Sequence, residues 1–337
     1  MIGSQLIKEK ARTLGLDVRI CLTKPFFDVA EQIKKQREKN LFLNNAWNDA
    51  EIDDFCNPCS ILPQAKSIIS SYLFYLNPEE PDPSQDGKPF GLVARYTRRN
   101  YYKELKKRLK NLADFLGKEY RAKFIVHSCG PIAEKPIAQR SGTGYYGKHS
   151  IIINPDYGSY IVLGEIVTDL EIEPDEPLKM SCGNCSMCMD VCPTKAIIAP
   201  YIIDRKRCIQ DLTNWEGLIP DDIARVWLNR IYGCTTCQEA CPINKKVKPE
   251  MPKTDIGVVG AYLSLLDVLQ IDEQTYRKKY SDNQITARWI HFDAIKRNAL
   301  LALAYFRDKK TIPIIERFAK GHNQLLRDTA IWTLRQF

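Results

Sequence analysis

The sequence predicts an α+β protein in three parts, and three features of the chain support this prediction. Segments with strand-like and helix-like periodicity alternate up to about residue 170, which is typical of an α/β or α+β domain. A cysteine-rich segment follows. The rest of the chain has helical periodicity and a partial internal repeat. We therefore expect three domains, at residues 1–172, 173–249 and 250–337.

The first part, an α/β domain, contains most of the predicted regular elements. Residues 40–60 are expected to be irregular, and Cys56 and Cys59 within them are interpreted as loop thiols, because no His or Cys pair stands nearby. The last two strands are expected to pair through a turn at residues 155–158. Helices are predicted at 4–15, 27–40 and 101–116, and strands at 17–22, 65–75, 123–127, 150–153 and 160–168.

The composition is that of an ordinary soluble protein. The 337 residues are 44% hydrophobic and 27% charged. No apolar run reaches membrane length, and the first residues lack the apolar core of a signal peptide. We therefore expect a cytoplasmic protein with no membrane association. In such a reducing setting, the twelve cysteines point to metal binding rather than to disulfides.

The cysteines of the middle part follow the ferredoxin pattern for [4Fe–4S] clusters. The first run reads C-x2-C-x2-C-x3-C-P, in which the fourth cysteine serves the other cluster. The second run, C-x2-C-x3-C-P, is one ligand short, and Cys208 is available to supply it. The spacing therefore predicts two clusters, one held by Cys182, Cys185, Cys188 and Cys241, and the other by Cys192, Cys208, Cys234 and Cys237.

A zinc site and a disulfide framework are the two alternatives for these cysteines. Two C-x2-C knuckles would satisfy a zinc ion and leave several cysteines of the segment unused. Disulfides do not fit a chain without a secretory signal. Two [4Fe–4S] clusters use all eight thiols.

The last part carries most of the positive charge. The formal net charge is +8, and residues 243–337 contain 17 Lys and Arg against 10 Asp and Glu. Residues 296–306 and 327–337 align at an offset of 31, with a predicted helix at 312–320 between them. A HEAT-like helical unit would give this repeat, and a plain helical bundle is the alternative. The charge indicates either a polyanionic partner or a solvated helical surface.

Taken in order, the segments resemble the epoxyqueuosine reductase family, and more widely the reductive dehalogenases. The resemblance rests on LPQAKSIIS at 62–70, ARYTRRNYYKELKKRL at 94–109, the stretch 142–177 that contains GEIVTDL, and YGCTTCQEACP at 232–242. It covers nearly the whole chain. It implies a base-off cobalamin beside one cluster, a tRNA bound through the basic C-terminal surface, and a low-potential electron donor such as ferredoxin or flavodoxin. We also expect a monomer.

The resemblance also implies a set of site residues. The family's proton donor is an Asp, and its place falls on Ser128, which is a poor general acid. His127, Cys129 and Glu134 are the nearby titratable substitutes. The residues expected to contact cobalamin are Arg95, Tyr96, Ser128, Lys148, His149, Ile152, Leu163 and Gln210.

The function expected from the resemblance is reduction of epoxyqueuosine to queuosine in tRNA, with the epoxide oxygen lost as water. One alternative is a reductase of the same plan with another substrate, either dehalogenase-like or corrinoid-reactivating. The change at Ser128 favours that alternative, and the basic C-terminal part opposes it. A two-cluster electron carrier is the other alternative, and it leaves the long first domain unexplained.

Overall fold

The computed structural model of the protein describes residues 1–44 and 47–337, and its helices and strands alternate throughout the first part. The first part contains α1 Gln5–Thr13, β1 Val18–Leu22, α2 Phe27–Glu38, α3 Asp49–Phe55, β2 Ser67–Phe74, β3 Phe90–Val93, α4 Tyr101–Glu119, β4 Phe124–His127, α5 Glu134–Arg140, β5 Tyr145–Tyr146, β6 Ile152–Ile153 and β7 Ile161–Thr168.

The middle part consists of short elements, and the last part is mainly helical. The middle part contains α6 Met187–Asp190, β8 Ile197–Ala199, β9 Ile202–Ile203, α7 Ile209–Leu212, α8 Asp221–Ala224, β10 Arg230–Tyr232 and α9 Thr236–Glu239. The last part contains β11 Tyr262–Ser264, α10 Leu265–Gln270, α11 Glu273–Lys279, α12 Phe292–Phe306, α13 Ile312–Ala319 and α14 Gln324–Leu334.

The main sheet has four strands in the order β1-β2-β7-β4, and every neighbouring pair is antiparallel. The mixed α and β content is as predicted. The description of the first part as an α/β domain is wrong in its usual sense, because that term implies a parallel sheet. The pattern of alternating segments did not reveal this, because helices also connect antiparallel strands.

Helices cover both faces of the main sheet. On one face, α4 buries Leu105, Leu109 and other leucines at helical spacing against the sheet. Gly164 on β7 allows this close approach, since a Cβ there would lie 2.8 Å from the Leu109 side chain. On the other face, Ile137 of α5 packs in one core cluster with Val167 of β7. Because side chains alternate along a strand, Glu165 shares the α5 face with Val167.

Two expectations for the first part are wrong. Residues 40–60 contain α3, which begins with a capping box in which Asn48 and Glu51 each accept a hydrogen bond from the other's backbone N–H. Residues 45 and 46 lie outside the described residues. In addition, β6 pairs with β5 and not with β7. Both edges of β7 are already occupied by β2 and β4, so β7 has no free edge.

A second sheet joins the three parts of the chain. Its order is β10-β3-β11, so each predicted domain contributes one strand. The helices α12, α13 and α14 pack together beside it, around a core that includes Leu300 and Ala330. The three-domain division and the HEAT-like interpretation remain predictions. Among the described residues, no helix has the length and apolar character that crossing a bilayer requires.

Candidate functional site

The eight cysteines of the middle part are the predicted cluster ligands, and two of them have several of the other thiols nearby. Burial, followed by the nearby thiols of Cys182, Cys241 and Cys185, raises the pKa of Cys188. Burial also raises the pKa of Cys237, followed by the nearby thiols of Cys234, Cys208, Cys188 and Cys192. Each of these two cysteines thus has thiols of its own predicted set nearby, and Cys237 also has Cys188 of the other set; the ligand assignment remains a prediction.

Local structure presents these thiols from loops and short helices. Cys188 lies on α6 and Cys237 on α9, while Cys208 directly precedes α7. All twelve cysteines, each of them a described residue, are free of disulfides. Nowhere in the described ranges do three or more His, Cys, Asp or Glu side chains gather closely enough for a single metal ion. A cubane takes its sulfurs from the corners of a cage, so its ligands are set farther apart than those of one ion.

We define the cleft as the region between α5 and the loop that leads into α7. Lys135 on α5 and Arg205 in that loop are both accessible to solvent. The pKa of Lys135 is lowered by burial and by Arg205, while Asp211, Glu134 and Cys208 act in the opposite direction. The cleft therefore adjoins a predicted ligand of the second cluster.

Aromatic residues and Gln210 form a connected group at α7. Gln210 Nε2 donates a hydrogen bond to the Tyr96 hydroxyl at 2.7 Å, and the Cys234 backbone N–H donates to Gln210 Oε1 at 3.2 Å. The rings of Tyr96 and Tyr232 lie 6.4 Å apart. Gly233 allows the backbone to pass close to Ala94, because a Cβ at residue 233 would lie 2.6 Å from the Ala94 Cβ. The structure thus links two predicted contact residues, Tyr96 and Gln210, to a cluster ligand.

Ser128 does not present its hydroxyl as an acid. The hydroxyl donates to the Leu163 carbonyl oxygen on β7 at 2.8 Å. The next residue, Cys129, is exposed and has a φ of 55°, so the chain turns sharply here. Burial, and then the charge of Lys106, lower the pKa of His127, so its imidazole is neutral near neutral pH. Neither residue replaces the missing carboxyl.

Glu134 is the carboxyl that reaches this part of the cleft. It accepts hydrogen bonds from the backbone N–H groups of Cys129 and, at 3.3 Å, Gly130. Burial raises the pKa of Glu134 to about 7, although these two hydrogen bonds act in the opposite direction. Glu134 therefore changes protonation state near neutral pH, as a general acid must.

Glu165 is a second carboxyl, and sequence reasoning missed it. It is 1% exposed, and among the described residues neither of its oxygens has a hydrogen-bond partner. Burial, and then the charge of Glu134, raise the pKa of Glu165 well above its ordinary value. A single acid inside the apolar strand IVLGEIVT was the available signal.

The other predicted contact residues have different surroundings. Arg95 forms ion pairs with Glu79 and, at 3.5 Å, with Glu239. His149 is buried, its Nε2 has no partner in the described structure, and burial followed by Lys135 lowers its pKa to about 4. Lys148 is half-buried. Ile152 is 1% exposed and packs in the main core, and its contact with cobalamin remains a prediction.

Two family models match separate parts of this chain. Residues 181–244 match a model described as a 4Fe-4S double cluster binding domain. Residues 56–128 match a model described as Epoxyqueuosine reductase QueG, DUF1730. The first match spans all eight cysteines of the two predicted ligand sets.

Whole proteins and solved structures give the same family over most of the chain. An epoxyqueuosine reductase from Bacillus subtilis is 33% identical over 97% of this chain and 85% of its own length. One from Escherichia coli is 33% identical over 83% of this chain and 75% of its own. A crystal structure of an epoxyqueuosine reductase with a tRNA-Tyr epoxyqueuosine-modified stem loop is 29% identical. It superposes with a TM-score of 0.90, covering 99% of this chain and 89% of the other.

Proposed function

The chain belongs to the epoxyqueuosine reductase family, and we propose that it reduces epoxyqueuosine to queuosine in tRNA with two [4Fe–4S] clusters and a cobalamin. The observation that supports this proposal best is the match of residues 181–244, which contain eight cysteines, to a 4Fe-4S double cluster binding domain, with Cys208 near Lys135 of the cleft. Eight thiols in two groups of four match the ligand requirement of two cubanes. We also propose a low-potential one-electron carrier, such as ferredoxin or flavodoxin, as donor, and a monomeric enzyme.

Unpartnered polar atoms in and beside the cleft fit a corrinoid, whose rim carries amide side chains. In the described structure, His149 Nε2 and Asn214 Oδ1 are buried without a hydrogen-bond partner. Amide groups both donate and accept, so they could satisfy both atoms. The residues proposed to hold the corrinoid are Tyr96, Gln210, Lys148, His149 and Arg95, with Ser128 directly after β4 and Leu163 on β7. When bound, the cofactor supplies a low-potential metal centre that can open a C–O bond reductively.

Glu134 is proposed as the proton donor in place of the family's Asp. Its carboxyl accepts two backbone hydrogen bonds, which fix its orientation, and it titrates near neutral pH. Lys135 holds the adjacent wall by donating to the Ser150 carbonyl at 2.8 Å. The substrate oxygen leaves as water, so the reaction consumes two electrons and two protons. The electrons reach the cleft past Cys208 and Gln210.

The test is anaerobic reconstitution with iron, sulfide and cobalamin, followed by assay with a stem loop carrying epoxyqueuosine. We expect cobalamin to stay bound through gel filtration, with a base-off electron paramagnetic resonance signal, and queuosine to appear by mass spectrometry. Bound cofactors without queuosine would overturn the proposed substrate. The departure at Ser128 would then favour a reductase of the same plan acting on another substrate.

A further inference from the structure

The Glu165 carboxyl is a buried acid that the proposed roles leave unused. It lies on β7, is 1% exposed, and has no partner for either oxygen within the described ranges. An ionised carboxylate in such a place would lose its hydration without gaining a hydrogen bond or a counter-ion. Glu165 is therefore neutral and holds a proton near neutral pH.

The strand register places this proton close to the cleft. Glu165 lies directly opposite His127, the last residue of β4. Two residues beyond His127, the Cys129 backbone N–H donates to Glu134. The two carboxyls thus flank the same end of β4, and the charge of Glu134, after burial, raises the pKa of Glu165. Only Glu134 is accessible from the cleft.

No described cation neutralises Glu165. The ion pairs found in the described residues do not include it, and the imidazole of His127 is neutral near neutral pH. The titratable groups that face Glu165 come from each neighbouring element: His127 from β4, Cys129 from the turn, Glu134 from α5, and Cys21 from β1, which itself lies near Arg140 and Asp175.

The reaction needs more protons than one carboxyl can supply. Opening the epoxide breaks two C–O bonds, forms a C=C bond and releases the oxygen as water. Two electrons come from the low-potential donor, and two O–H bonds must form. Resting on the proposed function, we infer that Glu165 stores the second proton and passes it to Glu134 after Glu134 has protonated the substrate oxygen.

Glu165 then acts through Glu134 and is a positioning residue, not a catalytic one. Because Glu165 holds this proton before the reaction starts, the supply of the second proton does not depend on bulk pH during one turnover. In Glu165→Gln that proton must come from water. We therefore expect the single-turnover rate of this variant to fall about tenfold or more at about pH 8, and to recover at lower pH. Glu165→Asp keeps a proton and should stay within a few-fold of the wild type.

The first readout is infrared spectroscopy, which does not depend on activity. At about pH 8 the protein should show the carbonyl stretch of a protonated carboxyl, with a downshift in D2O. Glu165→Gln should lack this band. The matched control Glu171→Gln, at an exposed glutamate just beyond β7, should keep it. Both variants should retain wild-type iron and cobalamin. Persistence of the band in Glu165→Gln would overturn the inference.

The second readout separates this inference from the proposed function. If the wild type makes no queuosine, the proposed function fails. If the wild type turns over and Glu165→Gln has an unchanged rate and pH profile, the proton store fails alone. Should Glu165→Gln lose iron through misfolding, Glu165→Asp decides the matter. If neither Glu165→Asp nor the wild type shows the band of a protonated carboxyl, Glu165 does not store a proton.

Discussion

Glu134 couples the proposed chemistry to pH at the scale of a single residue. Its pKa of about 7 means that the carboxyl is protonated below neutral pH and ionised above it. A general acid works only while it carries its proton. Activity that depends on Glu134 should therefore be full below about pH 7 and decline as the pH rises through that value.

The first prediction follows from this pH dependence. Glu134→Gln should lower kcat/KM by about 10²- to 10⁴-fold and abolish the decline above neutral pH, because the amide has no proton to give. Glu134→Asp should keep the alkaline decline, at a shifted pH. Steady-state rates between about pH 5 and 9 provide the measurement. An alkaline limb that persists in Glu134→Gln would assign the acid to another group.

The second prediction concerns Cys208, which the spacing assigns to a cluster although it belongs to neither cysteine run. Cys208→Ala should lose or convert the second cluster, so that iron falls from close to eight per chain towards four. The matched control is Cys59→Ala, since Cys59 is a half-buried thiol outside both groups. Iron analysis and electron paramagnetic resonance of anaerobic protein measure the outcome. Full iron in Cys208→Ala would refute the ligand assignment.

The sequence predicted the two-cluster segment but not the buried acid, and the reason is physical. Cluster binding depends on cysteine spacing along the chain, so a segment such as Cys182 to Cys241 can be recognised directly. The burial of Glu165 depends on β7 lying centrally between β2 and β4, which only the sheet order reveals. The packing of Ile152 into the main core likewise depends on tertiary contacts that the sequence pattern does not show.

At the scale of elements, Arg297 anchors α12 to the cluster segment. It is fully buried, and its guanidinium donates to the carbonyl oxygens of Trp215 at 2.5 Å and Gly217 at 2.6 Å. It also donates to the Leu212 carbonyl at 2.7 Å. Arg297 therefore does not contribute to the basic surface of the C-terminal part. Helical periodicity found α12 but could not show which of its faces was buried, because α12 is apolar on most sides.

The third prediction tests this anchor. Arg297→Met should destabilise the protein by about 3 kcal/mol, because three buried carbonyl groups lose charged donors. Lys296 is half-buried and lies over the Phe292 and Phe318 rings. Lys296→Met should lower the free energy of unfolding by less than Arg297→Met does. Thermal unfolding of anaerobic protein at one fixed scan rate compares the two. Equal midpoints for both variants would contradict the anchoring role.

At the scale of the whole molecule, the charge lies away from the main sheet. Residues 243–337 hold an excess of about seven positive charges. Arg297 is buried, but other cations of this part are exposed, among them Lys245, Lys246 and Lys248 after the last predicted cluster ligand. Arg277 is ion-paired with Glu273, and Lys279 lies 3.5 Å from Asp267. Lys278 is exposed, so among Arg277, Lys278 and Lys279 it is the side chain best placed to contact a phosphate.

The last prediction is that this surface binds the tRNA. Lys278→Glu should weaken binding of an epoxyqueuosine stem loop and flatten the salt dependence of its affinity, by about 0.7 to 0.9 in log–log slope for each phosphate that is no longer neutralised. The matched control is Lys118→Glu, which makes the same charge change in the last turn of α4. Filter binding across a salt series, together with iron analysis, makes the comparison. If the two variants weaken binding equally, the effect is that of net charge alone, and the C-terminal part has no specific role in holding the tRNA.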